Sequence, residues 1–323
     1  MKIRVSLVAG AGGFIGGHLC RALQQRGDRV IGVDIKPVEE WWQQTADECL
    51  VRDVSKLDCA NEVMVLAQGD ELSVWNLAAD TGGIGFIESN RARCMLNVLI
   101  NTHLLMAAKD HGAHRYFFAS SACVYSAAHQ NEHIWLKEGD VRPFDPEDGY
   151  GWEKLFSERM CRHFREDFGL QTRIARYHNV YGPHGSWGDG REKAPAALCR
   201  KAIEAKQTGE MGIWGDGSCE RSFLYVDDCV RLTMALAESD FADPVNIGND
   251  ETVTVQQLAD HACGLAGVTP RFIYDTKKPQ GVPCRSSDNT LCRNVLGDNE
   301  RVLLESGLRQ TFDWVNKCID GAD

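Results

Sequence analysis

Tyr150 and Lys154 stand four residues apart in Tyr150-Gly-Trp-Glu-Lys154. On a helix that spacing puts a phenol and an ammonium on one face. A neighbouring cation favours the phenolate, which makes Tyr150 a candidate general base for oxidising a hydroxyl. Upstream, Ala119-Ser-Ser121-Ala-Cys123-Val-Tyr125 carries two serine hydroxyls and a thiol. A thiol can exchange a proton with carbon, and its reference pKa of about 8.5 falls beside cations. Downstream, Gly190-Arg-Glu-Lys193-Ala-Pro-Ala-Ala197 sets a lysine against small apolar residues. Desolvation there would bring it below about 10.4 and let it serve as acid or base. Each feature alone has an ordinary reading: a solvated helix face, an inert packed thiol, a surface lysine. Their weight comes from the elements that must position them.

Residues 3–9 alternate toward an apolar strand and run into Gly10-Ala-Gly-Gly13-Phe-Ile-Gly16. A helical stretch ending near Gly27 follows, then a second strand, Arg29-Val-Ile-Gly-Val-Asp34. Strand, glycine turn, helix and strand ending in an acid make a dinucleotide-binding unit. The spacing is G-x-x-G-x-x-G; Gly10, Gly13 and Gly16 allow a pyrophosphate to approach the helix N-terminus at Phe14 and Ile15. Asp34 suits the ribose hydroxyls and would repel a 2′-phosphate, so NAD is expected over NADP. Asp53 is placed to reach the adenine edge, and Ala78, in Asn76-Leu-Ala-Ala79, to line the cofactor groove. Further strands are expected at 73–78, 116–119 and 172–176, and helices at 89–111 and 148–168. The fold class is therefore α/β, a Rossmann-type doubly wound parallel sheet with a smaller, discontinuous substrate lobe.

The second half is richer in Gly, Pro and Trp. Tyr181-Gly-Pro-His-Gly-Ser-Trp-Gly-Asp-Gly190 and Trp214-Gly-Asp-Gly217 read as loops closing over a site. The apolar run Ser222-Phe-Leu-Tyr-Val226 is expected to return to the sheet. The expected division is a cofactor domain over 1–177 with a return segment near 222–249, and a substrate lobe from 178–221 and 250–323.

Composition narrows the function classes. With 323 residues, 43% of them hydrophobic, the chain can build one large or two modest cores. A net charge of −11 argues against a nucleic-acid or acidic-membrane surface. No apolar run reaches the roughly 18 residues of a membrane span. The N-terminus runs straight into the glycine loop and reads as a strand, not a signal peptide. Thirteen cysteines at irregular spacings, without C-x-x-C, indicate neither a disulfide framework nor a metal site, and a reducing cytoplasm fits best.

Together these stretches resemble the extended short-chain dehydrogenase/reductase family over nearly the whole chain. Within it, the sequence is similar to the GDP-mannose 3,5-epimerase subgroup. The matching stretches are the run from Asn76 to Asn90, Ser120-Ser-Ala-Cys-Val-Tyr125, Tyr150-Gly-Trp-Glu-Lys154, His178-Asn-Val-Tyr-Gly-Pro183, Gly190-Arg-Glu-Lys-Ala-Pro-Ala-Ala197, Trp214-Gly-Asp-Gly217, Arg221-Ser-Phe223 and Ser287-Asp-Asn289. The resemblance implies that Ser121 hydrogen-bonds the reacting oxygen, Tyr150 takes its proton, and Lys154 holds the nicotinamide ribose. It implies an acid–base pair of Cys123 and Lys193. Ala122 stands where sugar 4,6-dehydratases of the family carry an acid, so dehydration has no obvious donor. Gly82, Ala122, Asn179, Glu192, Ala194, Lys201, Arg221 and Arg285 are implied as sugar-nucleotide contacts, and a homodimer through the helices at 89–111 and 148–168. Oxidation at C4 acidifies the protons on C3 and C5; inverting those centres needs a base on one face and an acid on the other. A UDP-hexose 4-epimerase would use Ser121, Tyr150 and Lys154 without Cys123 or Lys193. A GDP-fucose synthase-like enzyme would consume NADPH, against Asp34, and a silent NAD-binding regulator would turn nothing over.

Overall fold

The strands of the main sheet are short apolar runs buried on both faces, which is what a parallel sheet covered by helices requires. In the computed structural model, which describes residues 3–131, 135–297 and 300–321, these strands are β1 (Arg4–Ala9), β2 (Arg29–Asp34), β3 (Glu48–Val51), β4 (Glu71–Asn76), β5 (Arg115–Ser121), β6 (Thr172–Tyr177) and β7 (Val245–Ile247). They lie in the order β3-β2-β1-β4-β5-β6-β7, all parallel. Successive side chains go to opposite faces. Leu7, Val74 and Phe118 pack with Leu104 and Ile174 on one side, while Val8, Trp75 and Phe117 pack with Leu19, Leu23 and Leu232 on the other. The strand order reverses between β1 and β4, and a doubly wound sheet opens a crevice there, beyond its carboxyl ends. Ala9, Asn76 and Ser121 end their strands at that edge. The glycine loop, the Asn76–Ala79 stretch and the Ser-Ser-Ala-Cys turn therefore meet.

Two expectations are corrected. The helix expected over 89–111 is three pieces, Ile84–Ser89, Arg91–Met95 and Asn97–Asp110. Asn90 leaves helical geometry at φ −130° and ψ 39°, and its side-chain amide donates to the Phe86 carbonyl at 2.9 Å, a local bond that competes with the helix ladder. The run 222–226 does not join the main sheet. Its strand, Leu224–Tyr225, pairs with Val180–Tyr181 in a separate ladder, where Tyr181 packs edge-on against Phe223 and Tyr225. The outermost strand on that side of the sheet is β7.

The helix Tyr150–Phe168 starts two residues later than expected and stops at Gly169, in the left-handed conformation. A four-stranded sheet of Thr252–Thr254, Glu220–Ser222, Cys284–Ser287 and Trp135–Leu136 carries Arg221 and Arg285 toward the crevice. Among the described residues no helix is long and apolar enough to cross a membrane.

Candidate active site

The glycine loop has no room for side chains. A Cβ on Gly10 would lie 2.8 Å from the Ala78 nitrogen, and one on Gly16 would lie 2.0 Å from the Gly10 carbonyl. Gly13 precedes the helix Phe14–Arg26 without a side-chain cap, and the first turn holds no acidic residue. Its leading amides, at Phe14, Ile15 and Gly16, are therefore open donors, which is the donor set a pyrophosphate needs. The Asp34 carboxylate accepts from the amides of Gly12 and Lys36, each at 3.1 Å, so it is fixed at the end of β2. These residues fit NAD. Asp53 is differently engaged: it accepts from the Ser55 amide at 3.1 Å and hydroxyl at 2.6 Å, turning the chain into the helix Leu57–Leu66. The loop after Tyr181 lies on the cofactor helix, where His18 Nε2 is 3.0 Å from the Pro183 carbonyl.

At the other end of the crevice the Ser121 hydroxyl accepts from the Cys123 amide at 3.2 Å and so caps the turn Ala122–Val124. A Cβ on Gly151 would lie 2.3 Å from the Cys123 carbonyl, which explains why glycine follows Tyr150. The side chains of Thr81 and Ser121 lie beside the Tyr150 hydroxyl and favour its charged form. The four-residue spacing predicts a lowered phenol pKa; the structure shows the reverse. Burial pushes the phenol well above its ordinary value, the Cys123 thiol and Glu153 carboxylate push the same way, and the two hydroxyls only partly oppose them. The Lys154 ammonium is 5.4 Å from the Tyr150 ring centre and 4.8 Å from that of Phe118. It also lies 3.6 Å from the buried Glu153 carboxylate, so its charge is shared.

Lys193 is fixed by its helix. Pro195 in the first turn of Ala194–Thr208 sets the start, leaving Lys193 as the extended residue before it. Its side chain is reached by water through the open crevice, yet its ammonium sits deep among protein atoms. That desolvation lowers its pKa, while the thiols of Cys123 and Cys229 pull it back up. Arg285 completes the cluster: its guanidinium lies 3.7 Å from the Cys123 sulfur, donates to Gln130 at 2.8 Å and pairs with Glu147.

Other expected substrate contacts are held by the protein itself. Arg221 donates to the carbonyls of Glu220 at 2.7 Å and Val282 at 2.6 Å. Lys201 donates to the Gly212 carbonyl at 2.9 Å and lies 5.8 Å from the Trp214 ring centre. Asn179, at φ 43°, donates to the Ser222 carbonyl at 2.9 Å. Glu192 accepts from the Gly190 amide at 2.7 Å. Gly82 has no room for a side chain beside Phe86, Ala122 is buried, and Ala194 opens the helix after Lys193.

Residues 6–248 match the model of the NAD dependent epimerase/dehydratase family. The chain belongs to that family. Over 322 residues it is 42% identical to GDP-mannose 3,5-epimerase 1 of Oryza sativa subsp. indica, covering 99% of this chain and 83% of that one. It is 41% identical to the GDP-mannose 3,5-epimerase of Arabidopsis thaliana, covering 97% of this chain and 82% of that one. Among solved structures it resembles the UDP-glucose 4-epimerase of Thermotoga maritima, crystallised with UDP-glucose, at 25% identity and a TM-score of 0.85 over 98% of this chain and all of that one. Against the family's Ser–Tyr–Lys frame, Thr81, Gln130, Glu147 and Glu153 are the additions that sequence reasoning missed. Thr81 lies inside the run from Asn76 to Asn90, and Glu153 precedes Lys154. Gln130 and Glu147 carry no sequence signal, because their partner, Arg285, is distant in the chain.

Proposed function

We propose that this NAD-dependent epimerase inverts C3 and C5 of GDP-D-mannose through transient oxidation at C4, toward GDP-L-galactose and GDP-L-gulose. The carrying observation is convergence: the Cys123 thiol acts electrostatically on both the Lys193 ammonium and the Tyr150 hydroxyl, and the Arg285 guanidinium lies 3.7 Å from its sulfur. NAD, when bound, supplies the hydride acceptor and donor for C4. Tyr150 takes the proton of the C4 hydroxyl, which Ser121 orients, and Lys154 steadies the ribose of the cofactor. The C4 ketone makes the protons on C3 and C5 removable. Of Cys123 and Lys193, one removes a carbon proton and the other delivers one to the opposite face. Because one bound cofactor would serve as both acceptor and donor, no external reductant would be consumed.

The nucleotide moiety lies with Asn179, Glu192, Lys201 and Arg221, each of which must exchange a protein acceptor or donor for the substrate. The enzyme acts as a homodimer. Exposed Leu96, Leu99, Trp152 and Phe156, on or beside the helices Asn97–Asp110 and Tyr150–Phe168, support a paired helical face. It resides in the cytoplasm, in keeping with thirteen cysteines present as thiols.

The test is incubation with GDP-mannose in D2O without added cofactor or reductant, following H3 and H5 by NMR. Loss of both signals with new L-sugar resonances is expected. Retention of both would refute the assignment of Cys123 and Lys193 and direct attention to UDP-hexoses.

A further inference from the structure

Two loops bring the reacting groups into the crevice. One follows β4 and carries Thr81, which touches the Tyr150 hydroxyl. The other precedes the helix Ala194–Thr208 and carries Lys193. The loops are 111 residues apart in sequence at their main contact, and they are joined by a set of contacts centred on Arg191. The Arg191 guanidinium donates to the Asp80 carboxylate at 2.8 Å and to the Thr81 carbonyl at 3.1 Å. Its central carbon lies over the Phe86 ring, 4.0 Å from the ring centre. The Arg191 carbonyl accepts from the Gly83 amide at 2.9 Å. A Cβ on Gly83 would lie 2.5 Å from the Glu192 carbonyl, and one on Gly82 would lie 3.3 Å from the Arg191 Cα. Asp80 is itself held at three points: its amide and carbonyl are clasped by the Asn97 side chain at 2.8 and 3.2 Å, and its other oxygen by Arg93 at 2.6 Å.

We propose that Arg191 is a positioning residue: with Asp80 and Phe86 it clamps the Thr81 loop to the Lys193 loop, so that the group moving carbon protons is registered against the sugar that Tyr150 oxidises. This rests on the reading of the site as a 3,5-epimerase. The pair is about one-third exposed, and such pairs add little to stability. Its planar fork and ring stacking instead fix direction, which lysine cannot reproduce. A misplacement of about 1 Å between catalytic group and substrate can cost on the order of 100-fold. Loosening the clamp therefore separates the two half-chemistries. C4 oxidation depends on Tyr150, Ser121 and Lys154 and continues. Proton exchange at C3 and C5 depends on Lys193 and slows, so that oxidised sugar and reduced cofactor wait in the site.

The experiment follows two signals in R191Q, D80N and R191K holoenzymes given GDP-mannose: deuterium entry at C3 and C5 by NMR, and reduced cofactor by absorbance at 340 nm. The expected result for R191Q is exchange slowed at least about 10-fold with a larger steady 340-nm signal than wild type. R191K should fall between, and D80N/R191Q should lose no more than the worse single variant. G83A, which forces the loops apart without touching a charge, should show the same split and stands in if R191Q fails to fold. Exchange rates within about twofold of wild type in R191Q and G83A overturn the clamp, since a register loss of the proposed size exceeds that. Equal loss of both signals also overturns it, because that is general collapse of the site. If wild type itself shows neither exchange nor reduced cofactor, the epimerase reading fails first and the clamp with it.

Discussion

Behind the Ser120–Ser121 turn lies a buried ion pair whose removal should be among the most damaging single changes in the protein. The Arg176 guanidinium grips Glu158 in a two-pronged bond, 2.9 Å to one oxygen and 2.7 Å to the other. The two side chains are only 4% and 5% exposed. Burial works against the charge on Arg176, but Glu158 and the Tyr125 oxygen outweigh it and raise its pKa. The Ser120 hydroxyl donates to the same carboxylate at 2.6 Å. Arg176 donates to the Glu138 carbonyl at 2.9 Å and the Tyr125 hydroxyl at 3.2 Å. E158Q keeps the size of the side chain and an acceptor for Ser120, but it strands the cation without its bonded counter-charge, leaving Glu138 as its remaining acidic neighbour. Breaking a buried pair this way costs about 3–5 kcal/mol, out of a total stability of about 5–15 kcal/mol. At about 2–4 °C per kcal/mol for a large domain, the midpoint of thermal unfolding should fall by about 6–20 °C. Calorimetry, with urea unfolding beside it, measures this. The second change in E158Q/R176M removes the stranded cation and should return part of the loss. A deficit under about 1 kcal/mol for E158Q would refute the reasoning, because it would mean that Arg176 is compensated by its other partners.

Two further perturbations address the chemistry. C123A should lower deuterium entry at C3 and C5 by about 10²–10⁴-fold, the usual contribution of a positioned acid or base, while reduced cofactor still forms on adding substrate; undiminished exchange would remove Cys123 from the pair. K193M should be more stable than wild type at pH 7. Lys193 has a lower pKa folded than unfolded, so between those values the unfolded chain binds more protons and wild-type stability rises with pH. The advantage of K193M is thus full below the folded pKa and should close as pH climbs toward about 10.4. Thermal midpoints at pH 7 and 10 that differ by a constant amount would show that Lys193 is not desolvated.

What the sequence made legible was short in range. The G-x-x-G-x-x-G loop, the β2 strand ending in Asp34 and the placing of Tyr150 and Lys154 on one helix each depend on residues close in the chain, where spacing and geometry are nearly the same thing. The structure keeps all three. The expected helix at 89–111 broke because the asparagine side chain at position 90 satisfied the Phe86 carbonyl, and because Asn97 was needed to hold Asp80. Hydrophobic periodicity carries no trace of either bond. The run at 222–226 is apolar enough for the main sheet, and only its partner, Val180–Tyr181, shows that it belongs elsewhere.

The site was legible as a set of residue types and illegible as a set of partners, and the difference matters for its chemistry. A tyrosine four residues before a lysine reads as an activated phenol. In the fold, Glu153 draws on that lysine, and burial together with the Cys123 thiol and the Glu153 carboxylate holds the proton on Tyr150. The base is therefore not permanently armed. An oxidised nicotinamide carries a positive charge, which lowers a nearby phenol, so proton removal at C4 is tied to the presence of a competent hydride acceptor. Lys193 shows the complementary logic. Its lowered pKa comes from depth in the crevice, opposed by two thiols, and none of that can be read from Gly-Arg-Glu-Lys. In one case burial keeps a proton on a base, and in the other it loosens a proton from an acid. Because the neutral form is favoured both times, a single crevice can hold a reluctant phenol and a willing ammonium, which is the combination that oxidation followed by carbon inversion requires.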